Sequence, residues 1–203
     1  MNLRVARGVS IAVLLFLAVQ VGALALVEPF EAADYRAVED PTDPTNSAFY
    51  LGAILVATAL MLAAFRFDFD RVVRWVVVLS GGLLSWYVFS VVVPVVTVAG
   101  VNVAPLALAA AVVVALLVHP EWYVIDAAGV VMGAGGAGLF GISFGPLPAL
   151  VLLVALAVYD AVSVYGTEHM LTLASGVLEL KVPVVLVIPL TLSYSFLDAG
   201  PPA

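Results

Sequence analysis

The sequence has no cysteine among its 203 residues, only two histidines, and Lys181 as its one lysine. Without cysteine, disulfides and thiolate metal sites are excluded. His119 and His169 are far apart, and no His or Cys cluster has metal-ligand spacing, so neither a metal nor an organic cofactor is implied. A glycine loop of the phosphate-binding type is missing too. Charge is scarce: 10% of residues are charged, against roughly a quarter in a soluble domain. The net charge of −7 argues against nucleic acid as a partner.

What fills the chain instead is apolar surface. Hydrophobic residues make up 65% of it, and mean hydropathy is +1.22. A hydrocarbon core about 30 Å thick needs about 20 apolar residues per helix. Six such stretches run over 9–27, 49–65, 73–93, 103–118, 124–142 and 147–165. The second and fourth are short and need interfacial flanks to reach both faces. Backbone groups in lipid must pair internally, so these runs are expected to be helices. They lack the alternation of a membrane β-barrel. The expected fold is therefore an all-α polytopic membrane bundle of about six transmembrane helices in residues 1–165. Residues 166–203 are expected to form a cytoplasmic amphipathic and extended segment.

The first apolar run, Val9 to Val27, is longer than a signal-peptide core and is read as a retained helix. Basic residues set the orientation. With the amino terminus inside, Arg4, Arg7, Arg66, Arg71, Arg74 and Lys181 are cytoplasmic and only Arg36 is outside. The outer loop, read as 28–48, collects Glu28, Glu31, Asp34, Glu39, Asp40 and Asp43, and Asn46 or Ser47 is expected to cap the second helix. On the fifth helix Gly129, Gly133, Ala137 and Gly141 recur every four residues, a face that another helix can approach closely. Gly135, Gly136 and Gly138 lie on other faces and read as flexibility that packing does not require.

Acids inside spans need a reason. Asp126, near the start of the fifth helix, reads as a helix-end acid favoured by the dipole. Asp160 is deeper. It lies 13 residues after Leu147, about 20 Å along a helix and roughly 10 Å from the inner face. A charge there costs about 2.5–3.5 kcal/mol on insertion scales, and such residues are functional by default. Three readings stay open on these residues: one half of a catalytic carboxylate pair, a proton- or cation-coupled transport site, or a noncatalytic helix-pairing contact in an assembly protein. No repeated halves of the transporter kind are visible.

Ala157-Val158-Tyr159-Asp160-Ala161 on a sixth helix resembles the Tyr-Asp motif of the presenilin and signal peptide peptidase family. The following Val164-Tyr165-Gly166-Thr167-Glu168-His169-Met170 and Leu180-Lys181-Val182-Pro183 are similar to archaeal presenilin homologues. The resemblance covers the whole chain as the amino-terminal part of that fold. It implies an intramembrane aspartyl endopeptidase in a cell membrane, acting on membrane-spanning protein substrates within the lipid bilayer. It makes Asp160 a catalytic residue and sets Tyr159 beside it. The family's second aspartate belongs to a Gly-x-Gly-Asp motif on a seventh helix, and that motif does not occur here. The chain is thus expected to stop short of it, as a fragment partnered by a carboxyl-terminal half. Pro148-Ala149-Leu150 matches the family's Pro-Ala-Leu motif on the wrong helix, a chance match. After the sixth helix, residues 168–175 read as a short amphipathic helix. Val177 to Phe196, with Pro183 and Pro189, reads as an extended segment whose edge, Val182, Val184 and Val185 included, is a candidate to hold an unwound substrate as an added strand. Leu197 to Ala203 reads as a flexible end.

Overall fold

A computed structural model of the protein describes residues 3–180, 185–189 and 194–199. The helices are α1 (Leu3–Ala32), α2 (Thr45–Arg66), α3 (Asp70–Val92), α4 (Val103–Val118), α5 (Trp122–Ser143), α6 (Pro146–Ala161), α7 (His169–Glu179) and α8 (Phe196–Ala199). A π-helix, Val162–Gly166, continues α6, and a short antiparallel hairpin pairs β1 (Thr97–Val98) with β2 (Val101–Asn102) before α4. Among the described residues, five helical runs are long and apolar enough to cross a membrane: α1, α2, α3, α5 and α6 with its π-helix. All six apolar stretches are helical. The second is longer than its sequence suggested, since α2 starts at Thr45 and its 22 residues reach about 33 Å. The fourth remains short, because the 16 residues of α4 span only about 24 Å.

These segments are helical because their polar main chain has no other partner in lipid. Their outward surface fits that solvent. Leu24 on α1 is 74% exposed, Phe49 on α2 73% and Val118 on α4 76%. Soluble proteins rarely expose apolar patches of more than a few hundred Å². Here such residues recur along α1, α2, α3 and α6, while α5 is the most enclosed of the long helices.

Close packing occurs where glycine removes a side chain. α1 lies along α5, α3 lies against α4 and α5, and α2 lies against α6. A Cβ added at Gly138 would meet the Phe30 ring at 3.2 Å and Leu26 at 3.3 Å; one at Gly133 would meet Val19 at 3.3 Å; one at Gly135 would meet Val88 at 2.6 Å. The four-residue ladder is therefore only part of the packing surface, Gly133 meeting α1 and Gly129 meeting Leu186. Gly141 has open space, whereas Gly135 and Gly138 are required for contact with α3 and α1. The reason is that two helices press on α5 from different directions, so one stripe cannot serve both.

At its carboxyl end, α1 runs through Pro29 to Ala32, held by fully buried Phe30, so Glu28 and Glu31 are helical. The remaining loop is pinned by the Ser143 hydroxyl accepting from Ala37 N at 2.9 Å and by Gly145 N donating to Pro41 O at 2.7 Å. Ser47 does not cap α2. Its buried hydroxyl donates to Pro148 O at 2.7 Å and ties α2 to the start of α6. Asp43 accepts from Thr45 N at 2.8 Å instead. The hairpin turn, with Ala99 at φ 50° and Gly100 at φ 82°, puts two successive residues in the left-handed region that tight hairpins need.

Candidate active site

α6 starts cleanly because Pro146 occupies its first turn, where a missing N–H costs nothing. Pro148, Leu152, Leu156 and Tyr159 follow one another at helical spacing and are buried or half-buried, so this stripe faces the bundle. Asp160 is one residue past it, on the exposed side shared with Leu153 and Ala157. It lies six residues before Gly166, where the helical pass ends. That places it about 9 Å from the end of the run.

The turn after Asp160 is a π-helix, with Thr167 N donating to Val162 O at 3.0 Å, five residues back. Single π turns inside helices are rare and often sit at functional sites. Fully buried Ser163 donates its hydroxyl to Asp160 O at 3.1 Å, which fixes the main chain bearing the carboxylate. Tyr159 OH and His169 Nε2 are hydrogen-bonded at 3.0 Å, and His169 Nδ1 pairs with Thr167 Oγ1 at 2.5 Å. The three side chains bind the end of α6 to the start of α7 across the π turn. Glu168 between them adopts φ 56°, a left-handed conformation that turns the chain sharply into α7. α7 itself is the expected amphipathic helix, longer at its carboxyl end, with Leu173 and Val177 buried.

Of the residues assigned to substrate, Val182 and Val184 lie outside the described residues. Val185 is half-buried in a bend. Two residues on, Val187 N already donates to Asp126 Oδ1 at 2.7 Å. Asp126 is not a solvated helix-end acid: it is 4% exposed and serves a distant segment. Sequence reasoning also passed over Glu121. It stands at the N-cap of α5 without capping it; Oε1 accepts from Ser195 Oγ at 2.6 Å and Oε2 from Phe196 N at 2.8 Å. Those hydrogen bonds, the Ser195 hydroxyl first, hold the Glu121 carboxyl below its ordinary 4.5. The available signal was two acids within six residues at the start of an apolar helix, too many for dipole pairing alone. Residues 197–199, expected to belong to a flexible end, form the short α8 together with Phe196, which is buried. Among the described residues, no three His, Cys, Asp or Glu side chains cluster so as to hold a metal ion.

The chain matches known proteins on both sequence and fold. The family described as signal-peptide peptidase, presenilin aspartyl protease matches residues 13–201. Two solved structures, both of a presenilin family intramembrane aspartate protease, are similar. The one in space group C222 is 36% identical with a TM-score of 0.61, covering 82% of this chain and 70% of that one. The one in P2 is 39% identical with a TM-score of 0.58, covering 81% of this chain and 66% of that one. No curated protein matches the chain.

Proposed function

Because the chain belongs to the signal-peptide peptidase and presenilin family of aspartyl proteases, we propose that Asp160 is one catalytic carboxyl of an intramembrane peptide-bond hydrolysis. The observation that carries this is a carboxylate on the exposed face of an apolar span, a few turns from its end and directly before a π turn. The family is membrane-embedded and acts on transmembrane substrates, and the five long apolar helices make this chain an integral membrane protein.

The chemistry needs two carboxyls. Close together they cannot easily both ionise, and their pKa values split. The ionised one takes a proton from water as the water oxygen bonds to the scissile carbonyl carbon. The protonated one gives its proton to the carbonyl oxygen. Collapse of the tetrahedral adduct breaks the C–N bond, with a proton passing to the leaving amine. The two protonation states belong to the pair. The second carboxyl is assigned to a carboxyl-terminal half carrying the Gly-x-Gly-Asp helix that the family resemblance implies.

Tyr159 shapes the site by keeping its ring beside Asp160 while its hydroxyl is tethered to His169. Val182, Val184 and Val185 are the residues we assign to pairing with an unwound substrate segment. The amino terminus is cytoplasmic, as the basic residues favour, and the membrane is the cell membrane, as the likeness to archaeal homologues implies.

The test is cleavage of a membrane-spanning substrate by the enzyme encoded by the complete gene, reconstituted in liposomes, with products identified by mass. Cuts inside the spanning segment are expected. Cuts confined to the substrate's aqueous ends contradict the proposal.

A further inference from the structure

Two acids at the start of α5, the N-cap residue Glu121 and Asp126, have no part in the hydrolysis, and both are buried: Glu121 is 8% exposed and Asp126 4%. Carboxylates in such places require partners. Theirs come from one stretch of chain, the segment after α7. Asp126 accepts from Val187 N, 61 residues away, and Glu121 takes Ser195 Oγ on one oxygen and Phe196 N on the other. Hydrogen bonds to an ionised acceptor are roughly twice as strong as neutral ones. They also satisfy main-chain donors that the turn-poor, proline-bearing sequence here leaves outside any long helix or sheet.

Apolar contacts complete the arrangement. Leu186 lies over Gly129, where an added Cβ would stand 2.9 Å from Leu186 Cδ2. Phe196, Val187 and Tyr194 pack with Ile125 and Ala128 of α5 and with Val78, Leu116 and Val177. From Glu121 to Gly129 the helix rises about 12 Å, and along that length it meets the chain at 186–187 and again at 194–196.

We infer that Glu121, Asp126 and Gly129 form a seat on the first turns of α5 that fixes the course of the chain after α7, and that they are positioning residues for the protease reaction. The level of the seat matters. α5 and α6 are consecutive spans joined through Phe144 and Gly145, so the start of α5 and the end of the α6 pass lie on the same side of the membrane. Asp126 is four residues from the start of α5 and Asp160 six from Gly166, or about 6 and 9 Å from that side. The seat therefore holds the segment in the same layer as Asp160. Chain leaving residue 199 starts from a position set by Glu121, and the edge around Val185 starts from one set by Asp126. The inference rests on the protease reading for its consequence, but not for its geometry.

The test is hydrogen–deuterium exchange of the full-length enzyme in detergent, paired with turnover of a membrane-spanning substrate. Asp126→Ala and Glu121→Ala each remove an acceptor. Amides in peptides covering 185–199 should then exchange about tenfold faster or more, while α1 and α3 keep their protection. In the same variants kcat should fall further than KM rises. Asp126→Asn keeps a side-chain oxygen in place and should restore most of both readouts. Gly129→Leu, which displaces Leu186 without touching a carboxylate, should loosen the same peptides. Unchanged exchange at 185–199 in the alanine variants, equal acceleration throughout the chain, or no recovery in Asp126→Asn overturns the seat. Loosened peptides with unaltered kcat overturn the positioning role. A wild-type enzyme that cleaves nothing removes the protease reading instead, and the exchange pattern alone still decides the seat.

Discussion

Tyr159 at the end of α6 and His169 at the start of α7 share a hydrogen bond of 3.0 Å that bridges the π turn directly after Asp160. Neutral imidazole has one donor and one acceptor nitrogen, so the Tyr159 and Thr167 hydroxyls play opposite roles toward His169. Tyr159→Phe deletes only the hydroxyl. It is expected to cost about 0.5–1.5 kcal/mol of stability and to lower cleavage several-fold by freeing the α6–α7 angle. His169→Ala should have a similar effect, and the double variant should be little worse than either alone. Fully additive losses in a double-mutant cycle would mean that the contact carries no energy.

Gly138 and Gly136 make a matched pair for testing helix packing. The first faces Phe30 and Leu26, while the second has open space around its missing side chain. Gly138→Val should destabilise the bundle by about 1–3 kcal/mol through overpacking. Gly136→Ala should be neutral or slightly stabilising, since alanine is the better helix former. Thermal unfolding in detergent distinguishes them, and equal effects would contradict the α1–α5 contact.

Glu121 sets a pH limit on the docking of residues 195–196. Its folded pKa is lowered from 4.5, chiefly by the Ser195 hydroxyl. A depressed acid contributes stability that is fully present above its unfolded pKa and is lost as pH falls through the lower folded one. Exchange protection of Phe196 should hold from neutral pH down to about 4.5 and fail only below it. In Glu121→Gln this acid-dependent loss should be absent. Release between pH 7 and 5 would contradict the hydrogen bonds assigned here.

Orientation is open to a direct check. Reporters placed at Asp43 and at Phe67 lie on the two loops flanking α2. The basic residues put Asp43 outside and Phe67 in the cytoplasm. The reverse pattern would turn the bundle over and move Asp160 to the outer leaflet.

Much of this fold was visible in the sequence because lipid imposes one rule, a helix wherever an apolar run is long enough. That rule located all six stretches and gave Asp160 its depth. It says nothing of which face meets which neighbour, and so the glycine ladder was only half the story: Gly133 meets α1 as the ladder suggests, but Gly138 and Gly135, off the ladder, serve two different helices, a fact of tertiary arrangement. Ser47 was misread for a related reason, since its local role as a cap lost to a carbonyl on α6 a hundred residues away. The hairpin at Thr97–Asn102 left little trace, two residues per strand being too short to alternate. Glu121 and Asp126 were hidden because their partners are distant in sequence: Ser195 Oγ and Phe196 N lie 74 and 75 residues from Glu121, Val187 N lies 61 from Asp126, and the two main-chain donors have no sequence signature.

Cleavage of a membrane-spanning substrate in liposomes by Asp160→Asn, with thermal stability measured alongside, tests the central assignment most directly. Asparagine is nearly isosteric but cannot exchange a proton with water or the scissile carbonyl, so one half of the dyad is lost. Asp160 makes no side-chain hydrogen bond among the described residues and is exposed on α6, so the fold should be unaffected. Turnover should fall by about 10²–10⁴-fold or more at an unchanged melting temperature, while Asp126→Asn, which keeps an acceptor for Val187 N, retains most activity. Near wild-type turnover in Asp160→Asn, or abolished turnover at unchanged stability in Asp126→Asn alone, would contradict the assignment.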